Sequence, residues 1–269
     1  MAKESITKEI IENYNYFDED NRLKSACGIL EKEHTCRLIL RYIKTTPLNI
    51  YDIGAGTGHY SSWLAELGHR IYFSDIVPKH VETFKSRFGT NSNVISIKIE
   101  DARNLSYEND VADLVILNGP LYHLIEKKDR LQVLKEAKRI LKDNGRLLAF
   151  SISRFAGLNY ALSSGEVFND AYFEMVREEV TSGIRTNSTL KNKTFISAYF
   201  HLLEEIEAEI TESGLIVENS FGVGQAWSPP DLETVILDNE KKQRLLQAAE
   251  MMERYPMQSP KILTVGNKS

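Results

Sequence analysis

The segment from Asn49 to Tyr60 reads NIYDIGAGTGHY, and its residue types and spacing point most directly to chemistry. Gly54, Gly56 and Gly58 follow a short apolar run, and Asp52 stands just before them. Glycine allows positive φ values and lets the backbone approach a ligand closely. Such a loop either makes a tight turn between a strand and a helix or holds a ligand at the end of the strand.

The spacing of these glycines excludes two common phosphate-binding loops. A dinucleotide site has the pattern G-x-G-x-x-G, which would need a glycine at position 59, where this chain has His59. A P-loop has Lys and then Ser or Thr after its last glycine, whereas Gly58 is followed by His59 and Tyr60. The acid at position 52 would also repel a pyrophosphate. It suits a ligand with an ammonium or sulfonium group instead.

Two further aspartates end the next two apolar runs. Asp75 follows RIYFS, and Asp101 follows NVISIKIE and precedes Ala102. Parallel strands bind ligands beyond their carboxyl ends, so three acids at three strand ends would share one site. Asp75 suits the diol of a ribose, and Asp101 suits an adenine amino group. Taken singly, Asp75 could cap a helix and Asp101 could be a surface acid. Taken together with Asp52, they indicate an adenosine that carries a cation, as in S-adenosylmethionine.

The elements that must position these residues alternate between strands and amphipathic helices from residue 48 onward. Strands are predicted at LNIYDI, RIYFSD, NVISIKIE, VADLVILN and RLLAFSIS, with helices between them. Pro78 should begin one helix, and Gly145 should end the helix that starts near Asp129. This alternation predicts a parallel sheet with right-handed crossovers. Residues 154–200 read as helical or irregular with no strand, and LIVENSFGV and KILTVGN read as later strands.

These segments resemble the class I S-adenosylmethionine-dependent methyltransferases. IYDIGAGTG, IYFSD, EDARNL, ADLVILNGPLYHL and RILKDNGRLLAFSIS occur in the family's order and spacing, over roughly residues 48 to 152. GPLYHL, followed by SRF and later AYFH, is similar to a bacterial subgroup that methylates small molecules. The resemblance implies an α/β fold with a Rossmann-like, seven-stranded, mostly parallel sheet, an antiparallel last strand and helices on both faces.

The expected organisation has four parts. They are an N-terminal helical cap (residues 1–46), a cofactor-binding core (47–153), a helical or irregular substrate lid (154–200), and the C-terminal part of the core sheet with a helical insertion (201–269).

The resemblance also implies which residues bind the cofactor, S-adenosylmethionine. Gly54, Ala55, Gly56 and Gly58 would line its methionine portion, Asp52 would lie near its ammonium, Asp75 and Ile76 would hold the ribose, Asp101 and Ala102 would hold the adenine, and Asn118 and Gly119 would pass beside the sulfonium. From the N-terminal cap, Tyr16 and Arg22 are expected to contact its carboxylate.

Candidates for the reacting side lie just after the fourth strand and around the insertion. Tyr122 and His123 are the predicted catalytic residues, with His123 as a base for a hydroxyl acceptor or as a group that holds the nucleophile. A histidine packed on the following helix is an equal alternative. Arg154, Tyr199 and His201 are predicted to bind the substrate, although Arg154 could instead pair with an acid and AYFH could begin a helix.

Composition limits the classes of partner. The formal net charge is −5 and the sequence pI is about 5.8, which argues against a nucleic-acid surface built on bulk charge. No apolar run approaches the roughly 20 residues that span a bilayer, and the N-terminus lacks the apolar core of a signal peptide. Cys27 and Cys36 fit no zinc pattern, so no metal site is expected, and the protein is expected in the cytoplasm with reduced thiols. Oligomeric state stays open.

The leading hypothesis is therefore methyl transfer to a small metabolite, a natural product or the end of a peptide. An RNA or protein methyltransferase is a second hypothesis, which is weakened because NGPL departs from the N-P-P-Y/F pattern that accompanies methylation of a flipped base. A nicotinamide-dependent oxidoreductase is a third, and a protein that holds the cofactor without transferring its methyl group is a fourth.

Overall fold

The computed structural model describes residues 2–16, 18–43, 47–186, 197–224, 229 and 231–269, with the side chains of residues 2–6 and 16 outside the description. Three helices come first: α1 (Ala2–Tyr16), α2 (Glu19–Arg22) and α3 (Ala26–Leu40). The alternating part follows as β1 (Asn49–Ile53), α4 (His59–Glu66), β2 (Arg70–Asp75), α5 (Pro78–Phe88), β3 (Val94–Ile99), β4 (Ala112–Leu117), α6 (Pro120–His123), α7 (Lys127–Ile140) and β5 (Leu141–Ser153).

The rest of the chain contains the predicted lid and the return to the sheet. The lid has α8 (Ala156–Ser164), a 3-10 turn (Glu166–Phe168), α9 (Asp170–Ser182) and β6 (Ile184–Arg185). After it come β7 (Ala198–His201), α10 (Leu203–Glu212), β8 (Ile216–Val223), α11 (Leu232–Val235), α12 (Asn239–Met252), a second 3-10 turn (Pro256–Gln258) and β9 (Lys261–Asn267). None of the helices in the described ranges is long and apolar enough to cross a membrane.

The sheet is mostly parallel as predicted, but it has nine strands in the described ranges where seven were expected. Its first five strands are parallel and lie in the order β3-β2-β1-β4-β5, so the strand order reverses between β1 and β4. The last strand, β9, runs antiparallel to β5 and pairs on its other side with β8. The predicted fold class is therefore confirmed, with the antiparallel strand that the resemblance implied.

The prediction that residues 154–200 contain no strand was wrong. Ile184 and Arg185 pair with Tyr199 and Ala198 in an antiparallel ribbon, β6 with β7. β7 also pairs in parallel with the end of β5, where Phe200 and His201 lie opposite the last two residues of that strand. AYFH is thus a strand and not the start of a helix. The pairing partners are distant in sequence, and the strand is only four residues long.

Residues alternate along the strands between two apolar cores because successive side chains point to opposite faces. One core includes Tyr51, Ile53 and Val115, and it packs against α7 and α10. The other includes Ile50 and Ile116 and packs against α3, α4 and α5. Burial on both faces explains why these strands read as continuous apolar runs.

One helix end differs from its prediction. The expected helix to Gly145 ends at Ile140, and the next residue already pairs with the start of β4, as Leu141 opposite Ala112. Leu141 has an extended backbone, with φ −66° and ψ 138°. Pro78 begins α5 as predicted.

Candidate active site

A cavity of about 100 Å³ lies where the carboxyl ends of β1, β2 and β4 meet the N-terminal helices. It therefore lies at the point where strand order reverses, which is where open α/β sheets bind ligands. Most residues predicted to hold the cofactor line this cavity: Arg22, Asp52, Gly54, Ala55, Gly56, Asp75, Ile76, Asp101, Ala102, Asn118 and Gly119, together with Tyr122 and His123.

The loop after β1 needs its glycines for two different reasons. Gly54 has φ +70°, and a Cβ there would lie 2.6 Å from Pro120 Cδ, so Gly54 lets the β1 and β4 loops approach each other. Gly58 has φ +82°, and a Cβ there would clash with the ring of Phe84 in α5. Gly58 is not among the residues that line the cavity, in contrast to its predicted place along the cofactor. It is required instead for packing behind the loop.

Asp75 fixes this loop against the end of β2. The Gly56 N–H donates to Asp75 Oδ2 at 2.8 Å, and the Val77 N–H donates to Asp75 Oδ1 at 2.8 Å. The Nδ1 atom of His80 lies 3.3 Å from the same Oδ1. A carboxylate has about four acceptor positions. Asp75 therefore keeps some acceptor capacity toward the cavity while it shapes the glycine loop.

Asp52 is buried in the wall of the cavity below the loop. The Ser61 hydroxyl, in the first turn of α4, donates to Asp52 Oδ2 at 2.6 Å. Burial raises the pKa of Asp52 to about 7, an effect that the Ser61 hydrogen bond opposes and the nearby charge of Asp75 reinforces. A cationic group in the cavity would favour the ionised form of Asp52.

Asp101 is held by an arginine that the sequence reasoning missed. Arg103 Nη2 donates to Asp101 Oδ2 at 2.5 Å and also to the Thr7 hydroxyl of α1 at 3.0 Å. A third contact joins Arg103 Nη1 to Asp129 Oδ2 at 3.2 Å. The signal was an arginine two residues after the strand-end acid. Arg103 ties the Asp101 loop to both the N-terminal cap and α7.

Asn118, the residue after β4, places polar atoms beside α6. Asn118 Oδ1 is buried and has no hydrogen-bond partner among the described residues. The Tyr122 hydroxyl lies 3.5 Å from the Asn118 carbonyl, and burial raises the pKa of Tyr122 above its ordinary value. Because unsatisfied buried acceptors are costly, Asn118 Oδ1 marks a position where a ligand donor would be stabilised.

His123 contacts the N-terminal cap. Its Nε2 atom lies 3.0 Å from the Tyr14 hydroxyl, and its Nδ1 atom is buried without a hydrogen-bond partner in the described part of the chain. The Tyr14 ring also stands edge-on to His80, with a centroid distance of 5.0 Å. Burial lowers the pKa of His123 to about 4, so the imidazole is neutral at pH 7. The only sequence signal for Tyr14 is its place in an N-terminal group of aromatic residues with Tyr16 and Phe17.

Arg22 brings the cap to the cavity through a chain of ion pairs. Its Nε donates to Glu19 at 2.8 Å and its Nη1 donates to Glu31 at 3.1 Å. Both acids lie on N-terminal helices, so Arg22 is positioned before any ligand binds. The Tyr16 side chain, the other predicted contact to the cofactor carboxylate, lies outside the described residues.

The three predicted substrate residues do not line this cavity. Arg154 is buried and donates to the Phe200 carbonyl and to Glu205 of α10. The Tyr199 hydroxyl donates to the same carboxylate at 3.2 Å, and buried His201 lies 3.4 Å from Glu209. The contact of Arg154 with Glu205 matches its alternative, pairing with an acid. A substrate role for the three residues stays a prediction.

Comparison with known proteins identifies the domain. Residues 51–149 match the family model described as a methyltransferase domain. The chain is 24% identical over 183 residues to methyltransferase GfsG of Streptomyces halstedii, and this alignment covers 67% of this chain and 59% of that protein. The chain thus spans less than two thirds of the length of this curated relative.

Solved structures share the fold at low sequence identity. A SAM-dependent methyltransferase from Methanosarcina mazei superposes with a TM-score of 0.59 at 16% identity, over 86% of this chain and 96% of that one. The 1,6-didemethyltoxoflavin-N1-methyltransferase of Burkholderia thailandensis, solved with 1,6-didemethyltoxoflavin and S-adenosylhomocysteine, gives a TM-score of 0.60 at 13% identity, over 100% of this chain and 89% of that one. The sheet and its flanking helices are therefore those of the S-adenosylmethionine-dependent methyltransferases.

Proposed function

We propose that this chain, which belongs to the class I S-adenosylmethionine-dependent methyltransferases, transfers a methyl group from that cofactor to a small-molecule acceptor by in-line displacement. The observation that carries the proposal is the meeting of Asp52, Asp75 and Asp101 around one cavity at the reversal point of the sheet. Three carboxylates in one cavity favour a ligand that offers a cation and several hydroxyl or amino donors.

The residues around the cavity fit the cofactor. Asp52 lies buried where an ammonium would compensate its charge, and Asn118 Oδ1 is a buried acceptor without a partner in the described residues. The loop at Gly54 has no side chain between the backbone and the cavity, and a Cβ would not fit there. In this assignment Asp75 holds the ribose, Asp101 and Ala102 hold the adenine, and Arg22 faces the carboxylate.

When bound, S-adenosylmethionine supplies a methyl group on a positively charged sulfur. The contribution of the chain is then alignment and exclusion of water. The cap closes the cavity through Tyr14 and Arg22, and the end of β4 holds Asn118 and Tyr122 at the wall. Neutral His123 can accept a proton at Nδ1, but its low pKa makes it a weak base. His123 therefore suits a role in positioning better than one in deprotonating a weakly acidic hydroxyl.

An enclosed cavity supports a small acceptor over a folded macromolecule. The N-terminal helices cover the cavity through side chains such as Thr7, Ile10 and Tyr14. The net charge of −5 gives no attraction for RNA through bulk charge. The Burkholderia thailandensis structure holds a small heterocycle as its substrate, which is in keeping with this proposal.

Calorimetry with S-adenosylmethionine and S-adenosylhomocysteine tests the cofactor assignment. Wild type should bind both ligands, and Asp75→Asn should bind them at least about tenfold more weakly because hydrogen bonds to a charged group contribute about 1.5–3 kcal/mol. Asp113→Asn is the matched control. Asp113 also accepts a backbone N–H, from Asn49 at 2.8 Å, but it lies near the other end of the strands.

Two results would contradict the proposal. One is equal affinity of the Asp75→Asn and Asp113→Asn proteins for S-adenosylhomocysteine. The other is binding of NADH in place of either methionine derivative, which would favour the oxidoreductase alternative. Formation of S-adenosylhomocysteine in a screen of small acceptors would then separate an enzyme from a protein that only holds the cofactor.

A further inference from the structure

A second concavity, of about 620 Å³, opens beside the cofactor cavity. Its floor is the end of β5 with Lys261 at the start of β9, and its outer wall comes from the predicted lid, with Tyr160 of α8, Tyr172 of α9 and Arg185 of β6. Glu31 of α3 and Phe200 of β7 also line this concavity. We call this concavity the lid groove.

We propose that the lid groove binds the methyl acceptor, and that the acceptor is a planar aromatic molecule with an anionic oxygen, a carboxylate or an ionised hydroxyl, directed toward Lys261. This inference rests on the proposed function and names the class of substrate for it. Its three supports are the connection between the two cavities, the N–H donors that the Lys261 ammonium offers at the inner end of the groove, and the aromatic walls.

The inner end of the lid groove adjoins the cofactor cavity through one carboxylate. Glu31 Oε1 accepts from Lys261 Nζ at 2.8 Å on the groove side and from Arg22 Nη1 at 3.1 Å on the cavity side. Lys261 Nζ also lies 6.0 Å from the ring centroid of Tyr122, which lines the cofactor cavity. A molecule at the inner end of the groove would therefore be separated from the cofactor site by a single layer of side chains.

Lys261 is the cation that this inner end presents to the groove. Two cations, Arg22 and Lys261, share Glu31. Burial alone would raise the pKa of Glu31, but Lys261 and Arg22 hold it at about 2, so the carboxylate is ionised. Arg22 is also paired with Glu19, at 2.8 Å on the cavity side. A lysine ammonium has three donors, of which Glu31 uses one. The Lys261 side chain is 13% exposed, so a further acceptor can reach it from the groove.

The other charged groups that line the groove, Arg185 and Glu166, lie on its lid side. Arg185 is paired with Glu179, which is fully buried behind the groove. Glu166 lies in the 3-10 turn of the lid, where it accepts from the Asn169 side-chain amide at 3.4 Å. The groove thus has the cationic donor Lys261 at its inner end and the carboxylate of Glu166 on its lid. An elongated acceptor would place its anionic group inward.

Aromatic side chains form the walls between these ends. The Tyr160 and Tyr172 rings lie 6.1 Å apart between centroids and are tilted by 40°, and Tyr160 is 56% exposed. The Arg185 guanidinium lies 4.7 Å from the centroid of the buried Phe200 ring. Aromatic faces and a guanidinium plane offer stacking surfaces to a flat ring. A flat aromatic acceptor with an anionic oxygen therefore matches both the walls and the Lys261 donor.

The test uses 2-naphthoate, an anionic flat probe, and the neutral isostere 2-naphthamide, each titrated into the protein saturated with S-adenosylhomocysteine. We expect 2-naphthoate to bind saturably and 2-naphthamide to bind about tenfold more weakly, because a hydrogen bond to a charged group is lost. Lys261→Met should remove this preference while S-adenosylhomocysteine still binds, since Glu31 keeps Arg22 as a partner. Tyr160→Ala should weaken both probes alike.

Lys242→Met is the control. Lys242 lies on α12, pairs with Glu33 at 2.6 Å and does not line the lid groove. Equal binding of the two probes, or no binding of 2-naphthoate, would overturn the inference and leave the cofactor assignment intact. Equal effects of the Lys261 and Lys242 substitutions would overturn it in the same way. Failure of wild type to bind S-adenosylhomocysteine would instead overturn the proposed function on which it rests.

Discussion

Asp52→Asn should stabilise the cofactor-free protein at neutral pH, although it removes a residue of the site. The Asp52 carboxyl is buried with the Ser61 hydroxyl as a hydrogen-bond donor and a second acid, Asp75, nearby. Its pKa is therefore raised to about 7, above the ordinary value of 3.8. Between these two pH values the folded state keeps a proton that the unfolded state has lost.

The sign and size of the effect follow from proton linkage. The unfolded state binds fewer protons in this window. The contribution of Asp52 to the free energy of unfolding therefore falls as pH rises from about 4 to about 7, and it is constant above pH 7. A pKa raised from 3.8 to about 7 lowers the free energy of unfolding by about 4 kcal/mol over the whole pH range. About 2.5 kcal/mol of this loss falls between pH 5 and pH 7.5. Asparagine at position 52 has no such proton to hold.

Urea unfolding of wild type and Asp52→Asn at pH 5 and pH 7.5 measures this difference. The difference in free energy of unfolding between the variant and wild type should shift by about 2.5 kcal/mol in favour of the variant from pH 5 to pH 7.5. This shift does not depend on the stability of the variant at pH 5. Ser61→Ala, which removes the hydrogen bond that favours the ionised carboxyl, should extend the fall in stability above pH 7. Parallel pH profiles for wild type and Asp52→Asn would refute the reasoning.

Three other perturbations have defined outcomes. Gly58→Ala combines a positive φ with a clash against the Phe84 ring and should lower the free energy of unfolding in urea by about 3 kcal/mol. Gly68→Ala, with φ +91° and open space around it, should lower it clearly less. Arg130→Met leaves the buried Glu209 carboxylate without its cation and should cost about 3–5 kcal/mol in the same assay. The His123 imidazole should stay neutral from pH 6 to pH 9, and an NMR titration midpoint near 6.5 would contradict its burial.

The fold was predictable because burial on both faces leaves a strong pattern. β9 was predicted as KILTVGN and occurs as Lys261–Asn267, and Pro78 begins α5 as its ring geometry suggests. Such strands are continuous apolar runs, and their ends are sharply defined by polar residues. The position of the cofactor cavity then followed from the rule that ligands lie beyond the strand ends.

The residues around β7 show why the short strands and the side-chain partners after β5 were not predictable. Tyr199 and His201 read equally well as substrate ligands or as part of a helix start. In the structure they pair with Glu205 and Glu209 of α10, while the strand itself depends on pairing with β5, nearly fifty residues earlier. Local sequence carries no information on which acid a histidine or an arginine will meet across such a distance.

The two predicted sites differ in where their residues lie along the chain. The methyltransferase domain, residues 51–149, contains Asp52, Asp75 and Asp101, the acids that we propose hold the cofactor. The groups that separate this cavity from the lid groove, Glu31 and Lys261, lie outside it, on α3 and β9. Similarity within the domain therefore predicts the cofactor and leaves the acceptor undetermined. In the proposed assignment, substitutions at the N-terminal cap, the lid and the first residue of the last strand would change the acceptor and leave the core of the sheet intact.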